Sequence, residues 1–260
     1  MENSHRMFLQ AFMSRGILDA KDVIKLFQLV CDRCNEPVPE SADERKRRLA
    51  ELVITINTAI KQFSLEIRKG VSEDNGANYY CLINIQESPI TRMASDYTPN
   101  ELEFFKKIVG SIVASETGTI GSTDALNLTN QLGKKMSKEA AQDMLRRMIR
   151  DNWMTLVDGQ YGMATRALLE LEQYIREQYP NLATLCNLCK KLCLQCQTCE
   201  QCNTKLHRAC AARFFNQKKD VRCPGINCNA VWEDYNNQDS PGSTPASSST
   251  RETRKRKAKT

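Results

Sequence analysis

The chain has 260 residues, of which 41% are hydrophobic and 26% are charged, and its formal net charge is +6. That length leaves room for two or three small domains, and no segment holds the roughly 20 successive apolar residues that a membrane-spanning helix needs. The basic excess lies in residues 183–235 and 251–260, so residues 1–182 carry a slight net negative charge, which excludes general nucleic-acid binding by that part.

Residues 1–95, which we call domain A, are predicted to form three helices followed by a two-stranded hairpin. Asp19 is suited to cap the second helix, and a long third helix begins after Pro37 and Pro39. The turn VSEDNGA separates two alternating segments, SLEIRKG and NYYCLINI. The apolar positions at helical spacing are Phe8, Phe12 and Met13 in the first helix, Val23, Leu26, Phe27 and Val30 in the second, and Leu49, Val53, Ile56, Ile60 and Phe63 in the third.

Residues 96–180, which we call domain B, repeat this order of elements. Pro99 fits the first turn of a helix, Ser137 is suited to cap the third helix, and Asp158-Gly159 is typical of a two-residue hairpin turn. A last helix ends near Pro180. Three helices and a hairpin, met twice, predict a tandem winged-helix fold, which is related to the helix-turn-helix.

A polar stripe on the third helix of domain B bears on DNA binding. It consists of Lys138, Gln142, Arg146 and Arg150. The stripe could contact phosphates, because the third helix of such a domain often enters a DNA groove. A solvated face opposite the apolar one is the alternative, and the negative charge of residues 1–182 favours it. We therefore expect any DNA contact to be weak.

Eight cysteine and histidine residues between positions 186 and 228 have the spacing of metal ligands. The polar N-terminus, MENSHRMFLQ, lacks a signal-peptide pattern, so we expect an intracellular chain whose twelve cysteines favour metal binding over disulfides. Eight ligands suffice for two tetrahedral Zn²⁺ ions, which we predict to be cross-braced, each tying together two distant segments of a module too small to fold alone. The first ion is assigned to Cys186, Cys189, His207 and Cys210, and the second to Cys199, Cys202, Cys223 and Cys228.

Five cysteines and one histidine lie outside this ligand set. Cys193 and Cys196 fall between the two Cys-x2-Cys pairs, and a shifted register that uses either of them stays open. The other assignments are structural, with Cys31 and Cys34 as buried thiols at a helix end, Cys81 as a core residue of a strand and His5 as a surface or capping residue.

The order of four cysteines, one histidine and three cysteines (C4HC3) occurs in variant RING domains and in PHD fingers. No aromatic residue lies between Cys186 and Cys202, so the aromatic cage of a histone methyl-lysine reader is missing. Leu188 and Pro224 stand where RING domains present apolar residues to a ubiquitin-conjugating enzyme, which favours the RING interpretation. Asn229 instead occupies the place where active RING domains often carry Arg or Lys to hold ubiquitin. The alternative is a non-catalytic module that clamps a partner protein.

The chain resembles the family of the RING-bearing non-SMC element one subunit of the SMC-five/six DNA-repair complex. The resemblance is carried by HRMFLQAFMSRGIL, LEIRKGVSEDNG, NELEFFKKIVGSIVASETG, ALNLTNQL, ALLELEQYIREQYP and the metal module from Cys186 to Trp232. It implies tandem winged-helix domains followed by a C4HC3 RING-like domain. It also implies a MAGE-type partner with tandem winged helices of its own, the kleisin subunit of the complex, and a ubiquitin ligase activity that the MAGE-type partner enhances. The implied setting is chromatin in the nucleus, in DNA repair by homologous recombination and in genome maintenance.

Residues 236–260 are predicted to form a disordered basic tail, because they hold few apolar residues. The run RKRKAK is typical of a nuclear-import signal or a loose DNA contact, a solubilising end is the alternative, and the family resemblance favours nuclear import. The predicted fold is thus mostly α with small β, comprising domain A (1–95), domain B (96–180), a cross-braced RING-like domain (183–235) and the tail (236–260).

Overall fold

The computed structural model describes residues 1–85, 93, 96–216 and 221–232. The predicted tail lies outside these described residues, as does most of the segment at the predicted boundary between domains A and B. Among the helices of the described part, none combines the length and the apolar character needed to cross a bilayer.

Domain A is a winged helix in which three helices are joined to a three-stranded antiparallel sheet. Its elements are α1 (Asn3–Arg15), β1 (Ile17–Asp19), α2 (Ala20–Arg33), α3 (Ala42–Ile60), a 3-10 turn (Lys61–Phe63), β2 (Leu65–Val71) and β3 (Asn78–Asn84). The Asp19 carboxylate accepts a hydrogen bond from the N–H of Asp22 at 2.8 Å, so the predicted cap of α2 is confirmed. Strand β3 lies between β2 and the short β1, which the sequence patterns did not predict.

Two residues of the predicted apolar stripes of domain A are exposed instead. Met13 and Phe63 each expose 66% of their surface. Met13 follows Phe12 on α1, and because consecutive helical residues point about 100° apart, only Phe12 faces the core. Phe63 lies in the 3-10 turn beyond Ile60, where the α-helical spacing that would place it over the stripe has ended.

The three cysteines and the histidine of domain A, which were assigned structural roles, lie at buried, half-buried or helix-capping positions. Cys31 and Cys81 are fully buried, and Cys34 is half-buried at the end of α2. Burial raises the pKa of Cys81 to about 12, so its thiol stays protonated at neutral pH. His5 Nδ1 accepts a hydrogen bond from the N–H of Glu2 at 3.3 Å and thereby caps α1.

Domain B repeats the winged helix, again with a third strand that the sequence patterns did not predict. Its elements are α4 (Pro99–Ala114), β4 (Ile120–Gly121), α5 (Ser122–Asn127), a 3-10 turn (Leu128–Gln131), α6 (Lys138–Arg150), β5 (Met154–Val157), β6 (Gln160–Met163) and α7 (Thr165–Gln178). Pro99 occupies the first turn of α4 and Ser137 caps α6, as predicted. Asp158 and Gly159 have φ values of +49° and +75°, the positive values that a two-residue type I′ hairpin turn requires.

Domains A and B pack tightly against each other through the sheet of domain A and helix α7. Cys81 and Ile83 of β3 share one buried cluster with Leu169 of α7. A Cβ at Gly70 of β2 would lie 2.6 Å from Thr165 Cγ2, so a larger residue there would clash with helix α7. The tandem winged helices thus form one body.

Residues 184–232, which we call the RING-like module, contain little regular structure. The elements are β7 (Cys196–Thr198), β8 (Lys205–His207) and α8 (Arg208–Phe215). Leu206, Phe215 and Trp232 are the large residues of its core, which otherwise consists mainly of cysteines. So small a core cannot stabilise the module by apolar burial alone.

Residues 191–195, which we call the docking segment, attach this module to the winged-helix body. Leu192 and Leu194 are buried in the main core of domain B. The N–H of Leu192 also donates a hydrogen bond to Glu172 Oε1 of α7 at 3.4 Å. The docking segment lies between the two Cys-x2-Cys pairs. It contains none of the eight assigned ligands, and it holds the module in place on the body.

Candidate metal centres

The first cluster contains the four residues that were assigned to the first ion. The donor atoms of Cys186, Cys189, His207 and Cys210 all lie within 4.8 Å of one another. His207 ends β8, and its Nδ1 lies 3.3 Å from Cys189 Sγ and 3.8 Å from Cys210 Sγ. The backbone of Lys190 has a φ of +59°, and its N–H donates to the Cys186 carbonyl at 2.9 Å, which closes the Cys-x2-Cys knuckle.

The second cluster contains the four residues that were assigned to the second ion, again with all donor atoms within 4.8 Å of one another. Cys199 Sγ lies 3.9 Å from Cys228 Sγ, and Cys202 Sγ lies 3.5 Å from Cys223 Sγ. Gly225 is required beside this cluster, because a Cβ at that position would lie 2.8 Å from Cys202 Sγ.

The spacing of both clusters suits a tetrahedral Zn²⁺ ion. Zinc–sulfur bonds of about 2.3 Å place thiolate sulfurs about 3.8 Å apart in a tetrahedron. The sulfur–sulfur distances of 3.5 and 3.9 Å in the second cluster agree with that spacing. Donor sets of four sulfurs, or of three sulfurs and one imidazole nitrogen, are typical of structural zinc sites. The chain therefore has two cysteine and histidine clusters that could bind zinc, and the binding of two ions stays a prediction.

The protein environment favours the thiolate form of at least one ligand. The Thr204 hydroxyl lies 3.1 Å from Cys202 Sγ, and hydrogen bonding by Thr204 lowers the pKa of Cys202 from 9.0 to about 6. The thiolate is the form of cysteine that binds metal. At neutral pH the Cys202 side chain is therefore mainly in the thiolate form that binds a metal cation.

The clusters interleave along the chain, which is the predicted cross-braced arrangement. Each cluster takes one Cys-x2-Cys pair from residues 186–202 and one pair of ligands from residues 207–228. Along the chain, one ligand pair of the other cluster lies between the two ligand pairs of each cluster. The N-terminal and C-terminal halves of the module therefore cannot fold independently of each other.

Cys193 and Cys196 belong to neither four-residue cluster. Their sulfurs contact each other, and Cys193 is fully buried within the docking segment. Cys196 Sγ lies 3.0 Å from the Cys193 carbonyl oxygen. These positions disfavour the shifted ligand register that the sequence left open.

We predict that replacing Cys193 and Cys196 together by serine leaves the metal content unchanged at two ions per chain. Native mass spectrometry of the full chain would measure this, with Cys210→Ser as the matched control, because the control removes a ligand of the first cluster. The shifted register would be supported instead if the double serine variant lost an ion.

The residues proposed to contact a conjugating enzyme lie side by side on the module. Asn187 Nδ2, one residue before Leu188, donates to the Pro224 carbonyl at 3.3 Å and so joins the two segments. Leu188 and Pro224 are both partly exposed. Ile226, which sequence reasoning missed, is 92% exposed on the same loop as Pro224. An apolar side chain between two ligands was the signal that could have revealed it.

Two of the three cations in the polar stripe of domain B form ion pairs with acidic residues. Lys138, Gln142, Arg146 and Arg150 are exposed on α6. Two of the acids beside them take part in ion pairs, since Arg146 lies 2.5 Å from Asp143 and Arg150 lies 3.0 Å from Asp151. This pairing favours the solvated-face interpretation over contact with phosphates.

Comparison with known proteins finds two family models that match this chain. One is described as "Nse1 non-SMC component of SMC5-6 complex" and matches residues 5–171, and the other is described as "RING-like domain" and matches residues 186–228. The second match begins and ends on a residue of the two clusters, Cys186 and Cys228.

Individual proteins match most of the chain. "Non-structural maintenance of chromosomes element 1 homolog" of Bos taurus is 38% identical over 236 residues, covering 89% of this chain and 85% of that protein. The Homo sapiens protein of the same name is 38% identical over 233 residues with the same coverage. Among solved structures, a chain of an "Nse1-Nse3-Nse4 complex" is 37% identical, superposes with a TM-score of 0.78, and covers 90% of this chain and 97% of that chain. These matches confirm the predicted fold class, which is helix-rich with small sheets and a C-terminal RING-like domain.

Proposed function

This chain belongs to the Nse1 family of non-SMC components of the SMC5-6 complex, and we propose that it serves there as a RING-type ubiquitin ligase subunit. Its two clusters would hold two Zn²⁺ ions, which supply structural support to the module. The partners would be a MAGE-type Nse3 subunit and a kleisin Nse4 subunit, a proposal supported by the likeness to a chain of an "Nse1-Nse3-Nse4 complex". The setting would be chromatin in the nucleus, in DNA repair by homologous recombination.

The observation that carries this proposal is that Ile226 is 92% exposed on the loop of Pro224, whose carbonyl oxygen accepts a hydrogen bond from Asn187, the residue before Leu188. A projecting apolar side chain such as Ile226 suits a protein partner, because exposed apolar groups are stabilised when a partner covers them. In this mechanism the module supplies no nucleophile, since seven of its nine cysteines would serve as metal ligands. It would accelerate transfer by holding the conjugating enzyme and its ubiquitin thioester in a reactive orientation, which lowers the entropic part of the barrier.

A cation, that of Arg222, lies close to Asn229. Arg222, just before the ligand Cys223, places Nη1 3.4 Å from the Asn229 carbonyl oxygen. A backbone bridge between Arg222 and Val231 fixes this approach. We propose that Arg222 supplies beside position 229 the positive charge that other RING domains carry there.

A ubiquitin discharge assay with a charged conjugating enzyme, with and without the MAGE-type partner, tests the proposed activity. We predict that Leu188→Ala slows the partner-stimulated discharge about tenfold or more, because truncating a buried apolar anchor costs about 2 kcal/mol at an interface. The matched control is Leu182→Ala, because Leu182 is 45% exposed but lies before the module.

Absence of stimulation by the MAGE-type partner, even when the partner is bound, would support the alternative function. In that alternative the chain is a non-catalytic interaction subunit whose RING-like module clamps the partner. The specific observation in its favour is that the docking segment buries Leu192 and Leu194 in domain B, so the module is an integral part of the body.

A further inference from the structure

The turn at residues 72–77, which joins β2 to β3 in domain A, reaches the first cluster of the RING-like module. We call it the wing turn. Its Glu73 side chain is only 2% exposed, and Oε1 lies 3.2 Å from Nε2 of His207. Glu73 is 134 positions away from His207 in the chain, so the contact exists only because domain A and the module are docked together.

Every partner of the Glu73 carboxylate that the structure shows belongs to the module. Oε1 accepts a hydrogen bond from the N–H of Leu194 at 2.9 Å, and Oε2 accepts one from the N–H of Gln195 at 3.3 Å. A carboxylate is buried at high cost unless hydrogen bonds or a cation compensate. Glu73 is therefore a buried, hydrogen-bonded component of the interface between domain A and the RING-like module, and not a surface acid that lies near it.

His207 uses its two ring nitrogens for different purposes. Nδ1 faces the sulfurs of the first cluster, whereas Nε2 lies 2.8 Å from the Leu192 carbonyl oxygen and 3.2 Å from Glu73 Oε1. Both of these oxygens accept hydrogen bonds, so Nε2 carries the proton. Nδ1 is then unprotonated in the neutral ring and free to bind a metal.

We propose that Glu73 is a positioning residue for the first metal cluster, so that domain A supplies an outer contact of a metal site in the RING-like module. The carboxylate holds the imidazole of His207 in the orientation and tautomer that direct Nδ1 to the metal. Occupancy of the first cluster is thereby coupled to docking of the module on the wing turn. This inference rests on the proposed zinc sites.

Neighbouring contacts of the wing turn supply a matched control. Asp74 Oδ1 accepts a hydrogen bond from Gln195 Nε2 at 2.8 Å, but no contact joins Asp74 to His207 in the part of the chain that the structure describes. Asp74 and Glu73 thus both attach the wing turn to the docking segment. Only the Glu73 carboxylate reaches the metal-binding histidine.

The test compares Glu73→Gln with Asp74→Asn in the full chain bound to its partner. Zinc release into excess chelator gives the dissociation rate of each ion, and cobalt(II) in place of zinc gives separate absorption bands for the site with an imidazole and the all-sulfur site. Replacing an outer carboxylate partner of a histidine ligand typically weakens metal binding about 10- to 100-fold. We expect Glu73→Gln to accelerate release from the first cluster by that factor and to shift only its cobalt bands, and Asp74→Asn to resemble the unmodified protein.

Three results would overturn the proposal. Unchanged release from Glu73→Gln would show that His207 is held without the carboxylate. Equal acceleration at both clusters, or the same effect from Asp74→Asn, would reduce Glu73 to general support of the interface. Fewer than two ions in the unmodified protein would instead refute the zinc sites themselves, and ubiquitin discharge tests the ligase proposal independently.

Discussion

Complete removal of metal is expected to unfold the RING-like module while the two winged helices stay folded. Structural zinc contributes about 10–16 kcal/mol of apparent folding free energy in small metal-binding domains. Among the described residues of the module, Leu206, Phe215 and Trp232 are the large residues of its own core, so little apolar burial opposes its unfolding. Hydrogen exchange before and after strong chelation would measure this, and we expect protection to vanish in β7, β8 and α8 while it persists in α4 and α6.

A pair of cysteine variants separates loss of metal from loss of a buried thiol. Cys223→Ser removes a ligand of the second cluster and should reproduce the effect of chelation on the module. Cys31→Ser changes a fully buried thiol of domain A and should leave exchange in the module unchanged. Full protection of β7 and α8 after complete metal removal would contradict the structural role of the ions.

Replacing Gly118 by alanine is expected to disrupt the packing of the docking segment against domain B. A Cβ at Gly118 would lie 2.4 Å from the carbonyl carbon and oxygen of Leu194. The Leu194 backbone cannot yield easily, because its N–H binds Glu73 and its side chain is buried in domain B. Backbone strain at a φ of +68° adds about 1–3 kcal/mol and overpacking about 1–3 kcal/mol, so the total loss of stability is about 2–6 kcal/mol.

Gly16→Ala is the matched control for the Gly118 variant. Gly16 has a similar φ of +72°, but a Cβ there would meet no atom within 4 Å. Only backbone strain then applies, which costs about 1–3 kcal/mol for a residue in a sparsely populated region of φ and ψ. Denaturant unfolding of both variants measures the difference, and equal losses of stability would mean that the contact between Gly118 and Leu194 is unimportant.

Local chemistry explains why much of the fold could be predicted from the sequence. The caps at Asp19 and Ser137 and the turn at Asp158-Gly159 depend on residues within a few positions of one another. The short strands β1 and β4 were missed, since two or three residues carry no periodicity and pair with a hairpin much later in the chain. Phe63 was misplaced because the apolar spacing does not reveal that α3 ends at Ile60.

By itself, the sequence determined the winged-helix order of elements and the interleaved spacing of the two four-residue clusters, because helical periodicity and knuckle spacing are properties of neighbouring residues. Only the tertiary structure decided how the RING-like module is attached. Leu194 binds Glu73, which lies 121 positions earlier in the chain, and packs against Gly118, which lies 76 positions earlier. No local pattern records such contacts, since their energy comes from burial and hydrogen bonds that form only after the domains have packed.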